Sequence, residues 1–153
     1  MAEALTFLPL DVDANREFLL AAHRETSRLT FGTAFTDEQI EREIEKESGV
    51  GTGVFLNGKI VGICDVETRI KDGTDYGWVH FFYLAPELRG CGLGAQLVAH
   101  AEQFCRENNL DKLFLRVGRP NETAYRFYER SGFARAPEHD KPQEYGFVKN
   151  IVT

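Results

Sequence analysis

Cysteine, tryptophan, methionine and proline are all scarce in this chain: three, one, one and five among 153 residues. The three cysteines, Cys64, Cys91 and Cys105, are odd in number and form no CxxC or zinc-type spacing. Neither a disulfide framework nor a thiolate metal site is expected, and reduced thiols in a cytoplasmic protein are the ordinary reading. No apolar run nears the roughly 18–20 residues of a membrane-spanning helix. The start, Met1-Ala2-Glu3-Ala4, has neither the basic opening nor the apolar core of a signal peptide. Positive charge is also short, with 18 Lys and Arg against 24 Asp and Glu for a net charge of −6. That balance argues against non-specific nucleic-acid binding, which needs cations on phosphates, and mildly favours a cationic small molecule or peptide.

What is present is ordinary for a globular protein: 42% hydrophobic and 27% charged residues. There are no repeats, low-complexity segments or linker-like stretches, so residues 1–153 read as a single domain. Residues 5–10 read as a strand. Asp13 or Asp11 offers a cap for a helix over about 14–27, where Phe18, Leu19, Ala22 and His23 recur at helical spacing. Thr36, with Glu38-Gln39 near the capping-box position, opens a second helix to Ser48. Asn57-Gly58 is a strong hairpin signal between strands 53–56 and 59–70, and Asp72-Gly73 offers a second turn into strand 76–84. A helix over 92–108, a strand over 112–117, a helix over 121–131 closed by Gly132, and strands 133–136 and 144–151 complete the order β-α-α-β-β-β-α-β-α-β-β. Hairpins followed by a strand-helix-strand unit imply an α+β fold on a mixed sheet.

The most informative stretch is Arg89-Gly90-Cys91-Gly92-Leu93-Gly94, between an apolar strand and an apolar-periodic helix. Glycines permit a tight turn and close approach of the backbone, and a helix N-terminus presents free N–H groups to an anion. No Lys-Ser or Lys-Thr comes after these glycines, which excludes a P-loop. Gly90-x-Gly92-x-x-Ala95 formally fits a dinucleotide fingerprint. The chain beyond Ala95 is nevertheless too short for a doubly wound domain.

The same turn fits the (Arg/Gln)-x-x-Gly-x-(Gly/Ala) signature of the GNAT N-acetyltransferases. Asn121-Glu122-Thr123-Ala124-Tyr125-Arg126-Phe127-Tyr128-Glu129-Arg130-Ser131-Gly132-Phe133 resembles that family's second motif, Asn-x-x-Ala-x-x-x-Tyr-x-x-x-Gly-Phe. The resemblance implies a mixed sheet whose central strands splay apart, flanked by helices, with acetyl-coenzyme A in the gap as co-substrate and no metal. It implies that the backbone of Phe82, Tyr83 and Leu84 pairs with the pantetheine arm. The N–H groups from Gly90, Cys91, Gly92, Leu93, Gly94 and Ala95 would then cradle the pyrophosphate. Arg89 has two readings, phosphate contact or a solvated side chain beside it. Asn121 caps a helix and has the cofactor arm as a second partner.

Tyr128 is implied as the general acid that protonates the departing thiolate. Tyr125 is assigned to packing. For the base, His80 or a water chain is the candidate: strand alternation puts His80 on one face with Phe82 and Leu84 and its ordinary pKa suits proton transfer, with plain packing beside Trp78 as its alternative. Asp65 and Glu67 share a face of the neighbouring strand, where they either bind a cationic acceptor or are simply solvated. Phe31, Phe35 and Tyr145 are candidate linings of an acceptor pocket beside the N-terminal helices, with an ordinary core role as the alternative. Cys91 is not expected to be a nucleophile.

The implied activity is acetyl transfer to a primary amine, with a small-molecule amine preferred. Family members that acetylate protein N-termini often carry glutamate where Arg116 stands here, and those that act on aminoacyl-tRNA tend to be basic. An N-terminal or lysine protein acetyltransferase is the alternative, and a non-catalytic acyl-coenzyme A binding module is the rival from another class. Homodimers are common in the family, so the partners expected are acetyl-coenzyme A, an amine and a second copy, without nucleic acid or membrane.

Overall fold

In the computed structural model, which describes residues 4–47 and 51–152, the chain forms one seven-stranded mixed sheet with helices on both faces. The elements are β1 (Thr6–Pro9), α1 (Arg16–Phe31), α2 (Asp37–Glu47), β2 (Thr52–Leu56), β3 (Lys59–Lys71), β4 (Thr74–Leu84), α3 (Gly94–Glu107), β5 (Lys112–Gly118), α4 (Glu122–Arg130), β6 (Ala134–Arg135) and β7 (Glu144–Asn150). Met1, Ala2, Glu3 and Ser48, on which expectations were placed, lie outside the described residues.

Local chemistry accounts for most boundaries. Thr36 and Gln39 form a reciprocal capping box: Gln39 N–H donates to Thr36 Oγ1 at 3.2 Å and Thr36 N–H to Gln39 Oε1 at 2.8 Å. Asn57-Gly58 and Asp72-Gly73 all have positive φ, the twist that two-residue hairpin turns require. The first helix departs from expectation. Its cap position is Asn15, without a side-chain cap bond, while Asp11 accepts from the N–H of Ala14 and shapes the preceding turn. Asp13 instead pairs with Arg16. The helix also runs four residues further, to Phe31, and ends on Gly32 in the left-handed conformation.

The sheet order is β1-β2-β3-β4-β5-β7-β6. Its two faces bury separate cores. One holds Val98, Ala101 and Cys105 of α3 against Val79, Leu113, Leu115, Val117 and Phe147, and Leu93 and Leu97 against Val54, Val61, Cys64 and Leu84. The other holds Leu19, Ala22, Ile40 and Ile44 of α1 and α2 against Ile63, Phe81 and Tyr83.

Two irregularities shape the middle of the sheet. β4 and β5 are its parallel pair, and they match only at Gly77–Leu113 and Trp78–Phe114. Tight packing at Gly77 pins them there, where an added Cβ would meet Cys105 Sγ at 2.6 Å. Beyond that point β4 keeps β3 on one side, through Leu84, and has no strand on the other. β4 also carries a bulge: Val79 faces Val66 and Phe81 faces Asp65, so His80 is the extra residue. The bulge resets the side-chain alternation. Val79 and Phe82 pack toward α3, and Phe81 and Tyr83 toward α1.

Candidate active site

The gap that opens between β4 and β5 leads at its far end to the glycine turn. Gly90 and Gly92 have φ of 78° and 82°, and a Cβ on either would meet nothing within 4 Å. The cradle is therefore open and left-handed, a conformation that strains other residues. Gly94 also has a packing role. It is the first residue of α3, and an added Cβ there would press on the Phe127 ring of α4 at 3.1 Å. This glycine seats α4 against α3. Leu93 is buried in the α3-side core, whereas Cys91 is exposed.

Arg89 is committed to the protein. Its guanidinium makes a bidentate pair with Glu25 of α1 at 2.7 and 3.0 Å, its Nε donates to Leu84 O at 2.9 Å, and it lies over the Tyr83 ring. Tyr83 Oη donates to the same Glu25 at 2.5 Å. Burial would raise the Glu25 carboxyl, but the hydrogen bonds from Arg89 and Tyr83 outweigh it and hold the carboxyl low. The turn is thus tied to α1, and neither sequence-based reading of Arg89 anticipated the tie.

Tyr128 stands on the α3 side of the gap. Its ring lies 6.4 Å from Phe82 and 5.6 Å from Phe133 between centroids, and its hydroxyl bonds to no described residue. Desolvation, with a contribution from Cys64, pushes its pKa up, so the phenol keeps its proton and remains a donor. Asn121 caps α4, accepting from Ala124 N–H at 3.4 Å. Tyr125 packs edge-on against Tyr145.

On the α1 side, a cavity of about 120 Å³ is lined by His23, Thr26, Ser27, Thr30, Phe31, Phe35, Glu43, Phe81 and Glu144. Phe31 and Phe35 stack at 5.2 Å along its wall. Tyr145 is absent from this lining. Strand alternation sends it to the opposite face from Glu144, where the Arg119 and Arg135 guanidiniums pack on its ring at 4.5 and 4.4 Å. Glu67 is exposed and pairs with Arg69. His80 is half-buried, lines no part of the cavity and has no hydrogen-bond partner among the described residues. The bulge also removes the alternation argument for grouping it with Phe82 and Leu84. A larger concavity of about 400 Å³ lies around Leu10, Asp13, Arg16, Glu41 and Ile44, outside the gap, and takes nothing from β4 or β5.

Asp65 departs furthest from expectation. Instead of being solvated it is 6% exposed, and beside it Glu47, at the end of α2, is 1% exposed. Asp65 Oδ1 accepts from Thr52 N–H at 2.7 Å. Asp65 Oδ2 and Glu47 Oε2 are buried without a donor among the described residues. Burial and then the neighbouring Glu47 push the Asp65 carboxyl well above the usual range, against the pull of the Thr52 N–H. A proton on Asp65, directed at Glu47, satisfies both orphaned oxygens. The other Glu47 oxygen meets His23 Nε2 at 3.2 Å, and the His23 ring stacks on Phe81 at 4.5 Å. The pattern held two signals for this arrangement: Glu47 falls on the Ile40–Ile44 stripe of α2, and His23 lies four residues after Leu19.

Among the described residues no helix is long and apolar enough to cross a membrane, and no group of three or more His, Cys, Asp or Glu side chains is placed to hold a metal ion.

Comparison with known proteins agrees with this geometry. An uncharacterised N-acetyltransferase from Archaeoglobus fulgidus is 34% identical over 83 residues, 52% of this chain and 56% of that protein. A mycothiol acetyltransferase from Nocardiopsis dassonvillei is 28% identical over 149 residues, covering 88% of this chain and 44% of that protein. The chain thus spans about half the length of these curated relatives. The crystal structure of the PaiA N-acetyltransferase of Thermoplasma acidophilum, in complex with coenzyme A, superposes with a TM-score of 0.68 at 21% identity, over 96% of this chain and 99% of that one. The model of the acetyltransferase (GNAT) family matches residues 16–133. The chain belongs to the acetyltransferase (GNAT) family.

Proposed function

We propose that this chain transfers the acetyl group of acetyl-coenzyme A to a primary amine of a cationic small molecule by direct attack on the thioester. The observation that carries the reading is the one-sided opening of β4 beyond Trp78, with an open glycine cradle at its end. Residues fit a coenzyme A arm on each count. The free edge of β4 at Phe82, Tyr83 and Leu84 offers backbone groups to its amides, although Leu84 O is already engaged by Arg89. The N–H groups from Gly90 to Ala95 face the place of the pyrophosphate, where the start of α3 favours negative charge. Asn121 supports the arm from the start of α4.

An attack that forms the C–N bond breaks the C–S bond and leaves a thiolate. Tyr128, kept protonated by its desolvated site, supplies the proton. The acceptor approaches from the α1 side. The cavity there combines Phe31, Phe35 and Phe81 with the carboxylates of Glu43 and Glu144, and no lysine or arginine lines it. Aromatic faces and carboxylates together recognise an organic cation. The small volume, and Arg116 held by the His139 carbonyl and the Trp78 ring, favour a small molecule over a polypeptide. A cytoplasmic location accords with the free thiols of Cys64, Cys91 and Cys105.

The test is coenzyme A release from acetyl-coenzyme A with a panel of amines, for the native protein and Tyr128→Phe. Release with at least one cationic amine, sharply reduced in the variant, is expected. Tight coenzyme A binding without release by either protein would leave the non-catalytic binding module as the correct reading.

A further inference from the structure

Direct attack needs a free amine, yet a primary amine at neutral pH is an ammonium, so something must take its proton. His80, the residue the strand pattern suggested, has no orienting partner among the described residues and no place in the cavity wall. The cavity nevertheless contains a histidine. His23 is 8% exposed, reaches the cavity from the middle of α1, and has its ring fixed on one side by Phe81 and at Nε2 by Glu47. Behind Glu47 stands Asp65, and the two carboxyls place one donorless oxygen each in the interior.

Such an arrangement is costly for a fold. Two carboxyl groups, Glu47 and Asp65, are buried in the interior, where apolar side chains of similar size would serve the core better. Two carboxylates side by side cannot both ionise, so one proton between them leaves a single buried negative charge. The described group that meets that charge from the cavity side is His23. The other charged residues that line the cavity, among the described residues, are Glu43 from α2 and Glu144 from β7, both acidic. The acidic groups thus gather on the cavity that His23 lines, and titratable groups clustered at a cleft are candidates for a functional site.

We infer that His23 is the catalytic base of the acetyl transfer, with Glu47 and Asp65 as positioning residues that hold its ring and stabilise the imidazolium. The inference rests on the transferase reading above. The steps balance without any other reactant. The ammonium gives one proton to His23, and the nitrogen lone pair forms the C–N bond. The C–S electron pair goes to sulfur, which takes its proton from Tyr128. The second nitrogen proton restores Tyr128, and His23 returns its own to solvent through the cavity mouth.

The experiment compares two nucleophiles with acetyl-coenzyme A: spermidine, whose amines are protonated at pH 7, and hydroxylamine, which is largely neutral there and needs no base. His23→Gln should lower kcat/KM for spermidine by about 100-fold or more, with a loss at least tenfold smaller for hydroxylamine. In Glu47→Gln the acid limb of the spermidine pH profile should move to lower pH, because the imidazolium loses its counter-charge. The His23 ring resonance, followed by NMR titration without any amine, should move in the same direction in Glu47→Gln. Equal losses for both nucleophiles in His23→Gln, or an unmoved acid limb and resonance in Glu47→Gln, would overturn the assignment while leaving the transferase reading intact. Where another amine of the panel is the acceptor it takes the place of spermidine; if the native protein acetylates none of these nucleophiles, the transferase reading fails and the assignment fails with it.

Discussion

Replacing Asp65 by Asn tests the buried carboxyl pair through stability alone, without a substrate. The folded protein holds a proton on Asp65 that the unfolded chain releases, since burial and Glu47 push its pKa from 3.8 up to about 8. Between those values the folded state binds more protons, so stability falls as pH rises. The contribution is fully present below about pH 4 and is lost as pH climbs through about 8. Each pH unit in that window costs about 1.4 kcal/mol per proton, or roughly 3 kcal/mol between pH 5.5 and 8.5 at full effect, because the slope fades as pH passes about 8. Asparagine mimics the protonated acid: its oxygen can accept from Thr52 N–H as Oδ1 does now, and its amide can donate to Glu47 Oε2. Urea unfolding of both proteins at half-unit pH steps gives the difference directly. The variant should gain on the native protein with rising pH up to about 8, by about 1–3 kcal/mol across the range once water penetration is allowed for. Parallel stability curves, or a variant that loses ground at high pH, would refute the shared proton.

Three further outcomes are expected from the geometry. Gly92→Ala places a Cβ on a residue at φ 82°, which should cost about 1–2 kcal/mol of local strain and weaken coenzyme A binding by calorimetry, while Gly32→Ala, at φ 80° and outside the gap, should cost similar stability without that binding loss. Glu25→Gln removes the bidentate partner of Arg89; because that arginine is 42% exposed, the stability loss should stay near 1 kcal/mol, but the coenzyme A-induced rise in melting temperature should shrink as the turn loosens. Leu113→Ala empties a fully buried position at the β4–β5 junction and should lower stability by about 2–5 kcal/mol in chemical unfolding.

The order of elements was legible because its signals are local. Thr36 with Gln39, Asn57-Gly58 and Asp72-Gly73 act through hydrogen bonds or dihedrals within a few residues. The glycine turn and the Asn121–Phe133 segment, which carry the family resemblance, are local signals for the same reason. The acceptor side was less legible. The bulge at His80 adds one residue to a run in which Trp78, Val79, Phe81 and Phe82 are all apolar, so no break in hydrophobic period announces it. Tyr145 lies away from the Phe31–Phe35 cavity because its face depends on pairing with β5, a non-local contact. Asp65 and Glu67 do share a face of β3, but α1 and α2 cover only the first. That coverage buries one carboxylate and leaves the other in solvent. Glu47 and His23 stood in the apolar stripes of their helices, and polar residues in such positions are where a sequence most directly shows a buried site.

The central claim is that the acetyl donor occupies the gap between β4 and β5. A crystal structure of the protein grown with acetyl-coenzyme A tests it most directly. The account predicts density for the pantetheine arm along Phe82–Leu84, the pyrophosphate against the N–H groups from Gly90 to Ala95, and the thioester sulfur within hydrogen-bonding reach of the Tyr128 hydroxyl. A donor bound elsewhere, or a gap left empty at saturating acetyl-coenzyme A, would contradict it.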